Sequence, residues 1–156
     1  MRIRADEHVS PVIVDMVRAL ALSPGWELSS IHDKDVNGAG QSDVHWITAF
    51  SKSGGVAILS ADTDFQKQPP QVTAIFNTGL KVIHLPARWC SAPRHLQAAH
   101  ILMWWKRIER QVEAMKEREC YRPQWNVNEE GELTKISLDF ANAQRKLKKA
   151  ARRSGE

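Results

Sequence analysis

The period of apolar and polar positions changes several times along the chain, and each change marks an element. Arg2 to Ala5 reads as a brief first strand. Ser10-Pro11 then starts a helix, with serine as cap and proline at the first helical position. Ile13, Met16, Val17, Leu20 and Ala21 recur at helical spacing until Ser23-Pro24-Gly25 stops the run. Trp26 to His32 reads as a second strand and Asp33 to Ser42 as a polar, glycine-containing loop. Ser42 is placed to cap a helix over Asp43 to Ser51, with Val44, Ile47 and either Ala49 or Phe50 inward. Val56 to Ala61, after two glycines, reads as a buried third strand. Pro69-Pro70 opens a short helix that Thr78-Gly79 ends, and Leu80 to Leu85 is the fourth strand.

Beyond Pro93 the pattern predicts a long helix to about Glu119, with Ile101, Trp105, Ile108, Val112 and Met115 spaced four, three, four and three. Gln124 to Leu138 reads as a hairpin turning at Asn128–Gly131, and the final segment as a basic helix. Four strands alternating with helices predict an α/β fold: a parallel four-stranded sheet flanked by helices, followed by a long helix, a hairpin and a basic tail. Trp104 and Trp105 read largely as core, although adjacent helix positions differ by about 100°, which leaves room for one of the two to cover a partner.

Charge refines this picture. The chain has 156 residues, with 22 Lys+Arg and 18 Asp+Glu, and the segment 141–156 holds six of the basic residues and one of the acidic. Without that segment the balance is 16 basic against 17 acidic, so the basic character belongs to the tail. Arg145, Lys149, Arg152 and Arg153 fall along one side of it and are candidates for contacts with RNA phosphates. Cys90 and Cys120 form no close pair with each other or with histidine, as expected of reduced thiols in a cytoplasmic protein. The first residues are too charged for a secretion signal, and Asp15 and Arg18 interrupt the longest apolar stretch, so no membrane span is expected.

The candidate chemistry lies where strands end. Leu59-Ser60-Ala61-Asp62-Thr63-Asp64-Phe65 runs from a buried strand into two carboxylates, and the first strand runs into Asp6-Glu7. Ligands of open parallel sheets gather outside the carboxyl ends of the strands. If the first and third strands are neighbours, Asp6 and Asp62 share that edge, and Asp43 opens the helix leading to it. Three carboxylates at one edge repel unless neutralised. Their oxygen-only donors suit magnesium or manganese. Read singly, Asp6 and Asp62 are turn residues, Asp43 an ordinary first-turn acid, and His8, His45 and His84 surface or packing residues.

Ala5-Asp6-Glu7-His8, Ser42-Asp43-Val44-His45-Trp46-Ile47 and the Leu59–Phe65 stretch together resemble the successive acidic motifs of PIN domains, in the branch of VapC-type toxins. The resemblance covers about the first ninety residues. It implies a magnesium-dependent ribonuclease acting as the toxin of a toxin–antitoxin pair, with an antitoxin protein or a second copy as partner. It places Asp6, Asp43 and Asp62 as catalytic metal ligands, with Ser60 and Asp64 in support. Such domains carry a further acid on a helix before the position of Asp43. Here Asp33 and Asp35 fall in a loop, and Glu7 is the nearest substitute. The nuclease part is expected to span residues 1–119 and the hairpin and tail residues 120–156.

Other readings explain less. A phospho-acceptor receiver needs a lysine closing a late strand, and Ile83-His84-Leu85-Pro86 supplies none. A dehalogenase-like phosphatase needs its Asp-x-Asp after the first strand, whereas Asp62-Thr63-Asp64 follows the third. A degenerate PIN fold that holds RNA or a partner without cutting it remains the alternative.

Overall fold

The computed structural model describes residues 1–36 and 42–155. The loop expected over Asp33 to Ser42 therefore lies partly outside the described residues. Strands β1 (Arg2–Ala5), β2 (Glu27–Ser30), β3 (Ala57–Ser60) and β4 (Lys81–His84) alternate with helices α1 (Pro11–Leu20), α2 (Asp43–Lys52) and α3 (Pro69–Thr78). A short 3-10 turn, Phe65–Lys67, precedes α3. Then come α4 (Ala87–Ser91), α5 (Arg94–Ala114), β5 (Cys120–Arg122), β6 (Thr134–Ile136) and α6 (Phe140–Ser154).

Local chemistry sets these boundaries. The Ser10 hydroxyl accepts the Val12 N–H at 3.3 Å, with Pro11 at the first helical position. The Ser42 hydroxyl likewise accepts the His45 N–H at 3.3 Å. Gly79 ends α3 with φ of +76°, a left-handed conformation that glycine adopts without a Cβ penalty.

The sheet corrects the expected strand count. It has six strands in the order β2-β1-β3-β4-β5-β6, parallel except for the last pair. β5 escapes a periodicity reading because it is three residues long, with one fully buried side chain, Cys120, beside charged Glu119 and Arg122. The expected hairpin is real as a pairing but displaced. Its strands are Cys120–Arg122 and Thr134–Ile136, and Trp125 and Val127 lie in the connection between them. The long helix stops at Ala114 rather than Glu119, because Met115 turns extended (ψ 155°) and Arg118 takes φ of +70°. Arg118 is held there by its Nε–H, which donates to the Phe76 carbonyl at 2.8 Å.

Side chains alternate across the sheet and build one core on each face. Ile3, Ala5, Leu59 and Ile83 pack with Ile13 and Val17 of α1 and with Ile101, Trp105 and Ile108 of α5. Ile58, Val82 and Cys120 pack on the other face with Trp46, Ile47 and Phe50 of α2 and Ile75 of α3. Val44, expected inward, is exposed, and Trp46 takes that place. Trp104 and Trp105 are both fully buried, so neither is left to cover a partner. The connection after β5 folds over α5, and the Trp104 indole donates to the Asn126 carbonyl at 2.7 Å. No helix among the described residues is long and apolar enough to cross a membrane.

Candidate functional site

Because β1 and β3 are parallel neighbours, the residues after Ala5 and at Ser60 leave the sheet side by side. Asp6 is buried, and three groups point at its carboxylate. The Ser60 hydroxyl donates to Oδ2 at 2.6 Å, and the N–H groups of His8 and Ala61 donate to Oδ1 at 3.0 and 3.3 Å. Among the described residues no cation lies within ion-pair distance of it. Burial pushes the Asp6 carboxyl above its ordinary pKa; the three hydrogen bonds and nearby His8 only partly oppose that shift.

Ser60 ties the two strand ends together. While donating to Asp6, its oxygen accepts the Asp62 N–H at 3.2 Å. Asp62 then forms its own turn, with Oδ1 accepting the Asp64 N–H at 2.9 Å. Its Oδ2 lies 3.9 Å from the His8 ring, which also approaches Glu7 at 3.7 Å. The chain does turn at Glu7, as a role for that side chain requires, and the imidazole of His8 stands between the two carboxylates. The side chain of Asp64 is exposed.

The structure gives Asp43 other partners. It opens α2 as expected, but its Oδ1 accepts the Trp46 indole N–H at 2.9 Å and its Oδ2 accepts the Gln71 side-chain amide. Asp33 is likewise committed elsewhere. It pairs with Arg18 at 3.0 Å and caps the Ser30 N–H at 2.8 Å. Burial opposes its ionisation, but Arg18 and the Ser30 N–H outweigh burial and hold its pKa below the ordinary value. Among the described residues no group of three or more His, Cys, Asp or Glu is placed to hold a metal ion.

Two neighbours at this edge carry no sequence signal. His84, at the end of β4, pairs in register with Ser60. Its Nε2 lies 2.7 Å from the Asp62 carbonyl and its Nδ1 2.6 Å from the Arg122 guanidinium. A guanidinium only donates, so Nδ1 must accept and Nε2 must carry the hydrogen, which fixes a neutral tautomer. Burial, and then the charge of Arg122, hold the His84 pKa below its ordinary value. The Cys90 thiol lies 3.0 Å from the Ala61 carbonyl, and burial and the charge of Asp6 push its pKa up.

Arg145, Lys148, Lys149 and Arg152 line one depression along α6. Arg153 is exposed in the same last turn. The opposite side of α6 is anchored on α3 through Ala143 and a 5.4 Å contact between the rings of Phe140 and Phe76.

The sheet, parallel except for its last pair and flanked by helices, carries acidic turns after the neighbouring strands β1 and β3. The chain belongs to the PIN-like family: the family model described as a PIN like domain matches residues 1–87. No curated protein and no solved structure matches it. PIN-like domains are generally nucleases and typically use divalent metals. The match ends before α5, so β5, β6 and α6 lie outside it.

Proposed function

We propose that this protein is a metal-dependent endoribonuclease of the VapC type, the toxin of a toxin–antitoxin pair, acting at the carboxyl edge of β1 and β3. The observation that carries this reading is Asp6, a buried carboxylate with no cation within ion-pair distance among the described residues, joined through Ser60 to the turn of Asp62.

The donors fit a magnesium ion. Magnesium keeps several waters and binds through one or two carboxylates plus substrate phosphate. Asp6 and Asp62 would hold it, and Asp43 would join only by releasing Gln71. When bound, the cation supplies Lewis-acid polarisation of a phosphodiester and neutralises nearby charge. Ser60 fixes the orientation of Asp6, and His84 fixes the backbone of Asp62. Glu7 and Asp64 are the carboxylates left to support the site.

The test is cleavage of RNA in magnesium by Asp6→Asn, Asp43→Asn and Asp62→Asn. We expect Asp6→Asn and Asp62→Asn each to lose at least a hundredfold in rate while remaining folded. Asp43→Asn should lose as much if Asp43 joins the site, and little if its work is to hold Trp46 and Gln71. Full activity in all three variants would end the nuclease reading. The engagement of Asp43 by Trp46 and Gln71 favours one second reading, a degenerate PIN-like domain that binds RNA or a partner without cutting. RNA binding by the wild type with no cleavage in magnesium or manganese would select it. Either way, a cytoplasmic protein paired with an antitoxin or with a second copy remains part of the proposal.

A further inference from the structure

Arg122 sits outside the segment that matches the family, on a strand that the sequence does not announce. The register nevertheless sets it in line with the acidic edge. Ser60 pairs with His84, and Val82 and Ile83 pair with Cys120 and Tyr121, so the next position on β5 beside His84 is Arg122. Asp6, Ser60, His84 and Arg122 therefore form one polar row across four strands, on the face whose previous row holds Ile58, Val82 and Cys120. Hydrogen bonds run along the row: Ser60 to Asp6, His84 to the Asp62 carbonyl, and Arg122 to His84.

The guanidinium is charged but not neutralised. Its contacts are the neutral His84 ring and, at 3.4 Å, the Gln66 side-chain oxygen. No carboxylate lies within 4.0 Å of it among the described residues, and its buried Nε–H has no acceptor. A planar fork of donors with an unused N–H suits the oxygens of a phosphate.

We propose that Arg122 is the phosphate-binding residue of the edge, holding the backbone of single-stranded RNA in line with Asp6 and Asp62. The inference rests on RNA being the ligand, as proposed above. The appended strand β5 then supplies the cationic half of a site whose acidic half lies in the PIN-like segment.

The experiment is fluorescence anisotropy of the full chain with a labelled single-stranded RNA of about ten nucleotides, long enough for one binding groove, in EDTA across a salt series. Arg122→Gln keeps an N–H donor but carries no charge; Arg122→Lys keeps the charge but loses the fork. Arg110→Gln, at an exposed position on α5, controls for loss of net charge. We expect Arg122→Gln to weaken binding about tenfold and to lower the log–log salt slope by about 0.7. Arg122→Lys should keep the slope and bind with intermediate affinity, and Arg110→Gln should match the wild type. A purely structural role would move stability and leave the slope alone, so thermal melts accompany each titration. Wild-type affinity and slope in Arg122→Gln would overturn the proposal, as would equal losses in Arg122→Gln and Arg110→Gln. The nuclease reading fails separately: wild type that binds RNA through Arg122 yet never cuts it would leave the anchor standing. Wild type that binds no RNA would overturn both.

Discussion

Asp6 receives three hydrogen bonds, yet burial still raises its pKa, so its charge is held at a cost to the fold. A carboxyl whose folded pKa is raised contributes stability below its unfolded pKa, and that contribution is lost as pH rises through the folded value. At neutral pH, Asp6→Asn should therefore melt higher than wild type without metal. Magnesium should reverse the order. At a free concentration about a hundred times Kd it stabilises a binding protein by ~2.7 kcal/mol, and only the wild type should gain. Calorimetry with and without magnesium checks both statements; a variant that melts lower than wild type without metal contradicts the first. His100 has the opposite sign. Its ring is fully buried, lies 4.9 Å from Trp125, and places Nε2 2.7 Å from the Gln124 carbonyl. Burial, then the charge of Arg107, lower its pKa below 6.5. The stability it contributes is complete above 6.5 and is lost as pH falls through the lowered value. Urea unfolding at several pH values should show a shallower acid-side loss for His100→Phe than for wild type.

At the scale of elements, α5 is held by polar capture as much as by apolar contact. The Arg107 guanidinium lies 3.5 Å from the centre of the Trp104 ring and donates to the carbonyls of Asn128 and Glu130 at 2.6 and 2.7 Å. Trp104 thus joins the helix to the connection that covers it. Replacing it with alanine should cost about 3–5 kcal/mol, the usual loss for a buried aromatic, and should loosen residues 123–133 as read by hydrogen exchange. Helix α6 divides its work by face. Phe140 and Ala143 hold it to α3, while Arg145, Lys148, Lys149 and Arg152 stand outward. Deleting the helix would uncover α3, so charge removal is the sharper test of an RNA contact. Changing these four side chains to glutamine should flatten the salt dependence of RNA binding by up to about 0.7 per lost contact. The maximal rate of the proposed cleavage should hold, because among the described residues none of the four bonds to Asp6, Asp43 or Asp62. An unchanged slope would assign the basic face to an acidic partner.

At the scale of the molecule, the segment beyond residue 119 is part of the sheet. β5 covers the edge of β4, and Cys120 fills the core beside Val82; burial pushes the Cys120 thiol up to about 12. A fragment ending at residue 119 would leave β4 with unpaired backbone groups, a template for association. We expect that fragment to aggregate on size exclusion at concentrations where the full chain elutes as a discrete species. A discrete, folded fragment would show that the first 119 residues stand alone. Leu96 and Met103 are exposed apolar side chains of α5, whereas both tryptophans are spent on the core.

The elements that could be read from the sequence are those whose causes are local. Serine caps at positions 10 and 42, the glycine after Thr78 and the spacing along α1 and α5 act within a few residues, so they declare themselves in order along the chain. The acidic turn after Asp6 and the one after Ser60 were legible for the same reason. What tertiary structure decided is which distant groups meet. Ser60 reaches Asp6 across 54 positions, Arg122 reaches His84 across 38, and Gln71 reaches Asp43 across 28. Strand order and side-chain packing set those pairings, and no periodicity encodes them. Asp43 had the right residue type at the right end of its helix, but Trp46 and Gln71 fixed what its oxygens do. Arg122 had no pattern around it, and only the addition of a three-residue strand to the sheet placed its charge beside His84, in line with the acidic edge.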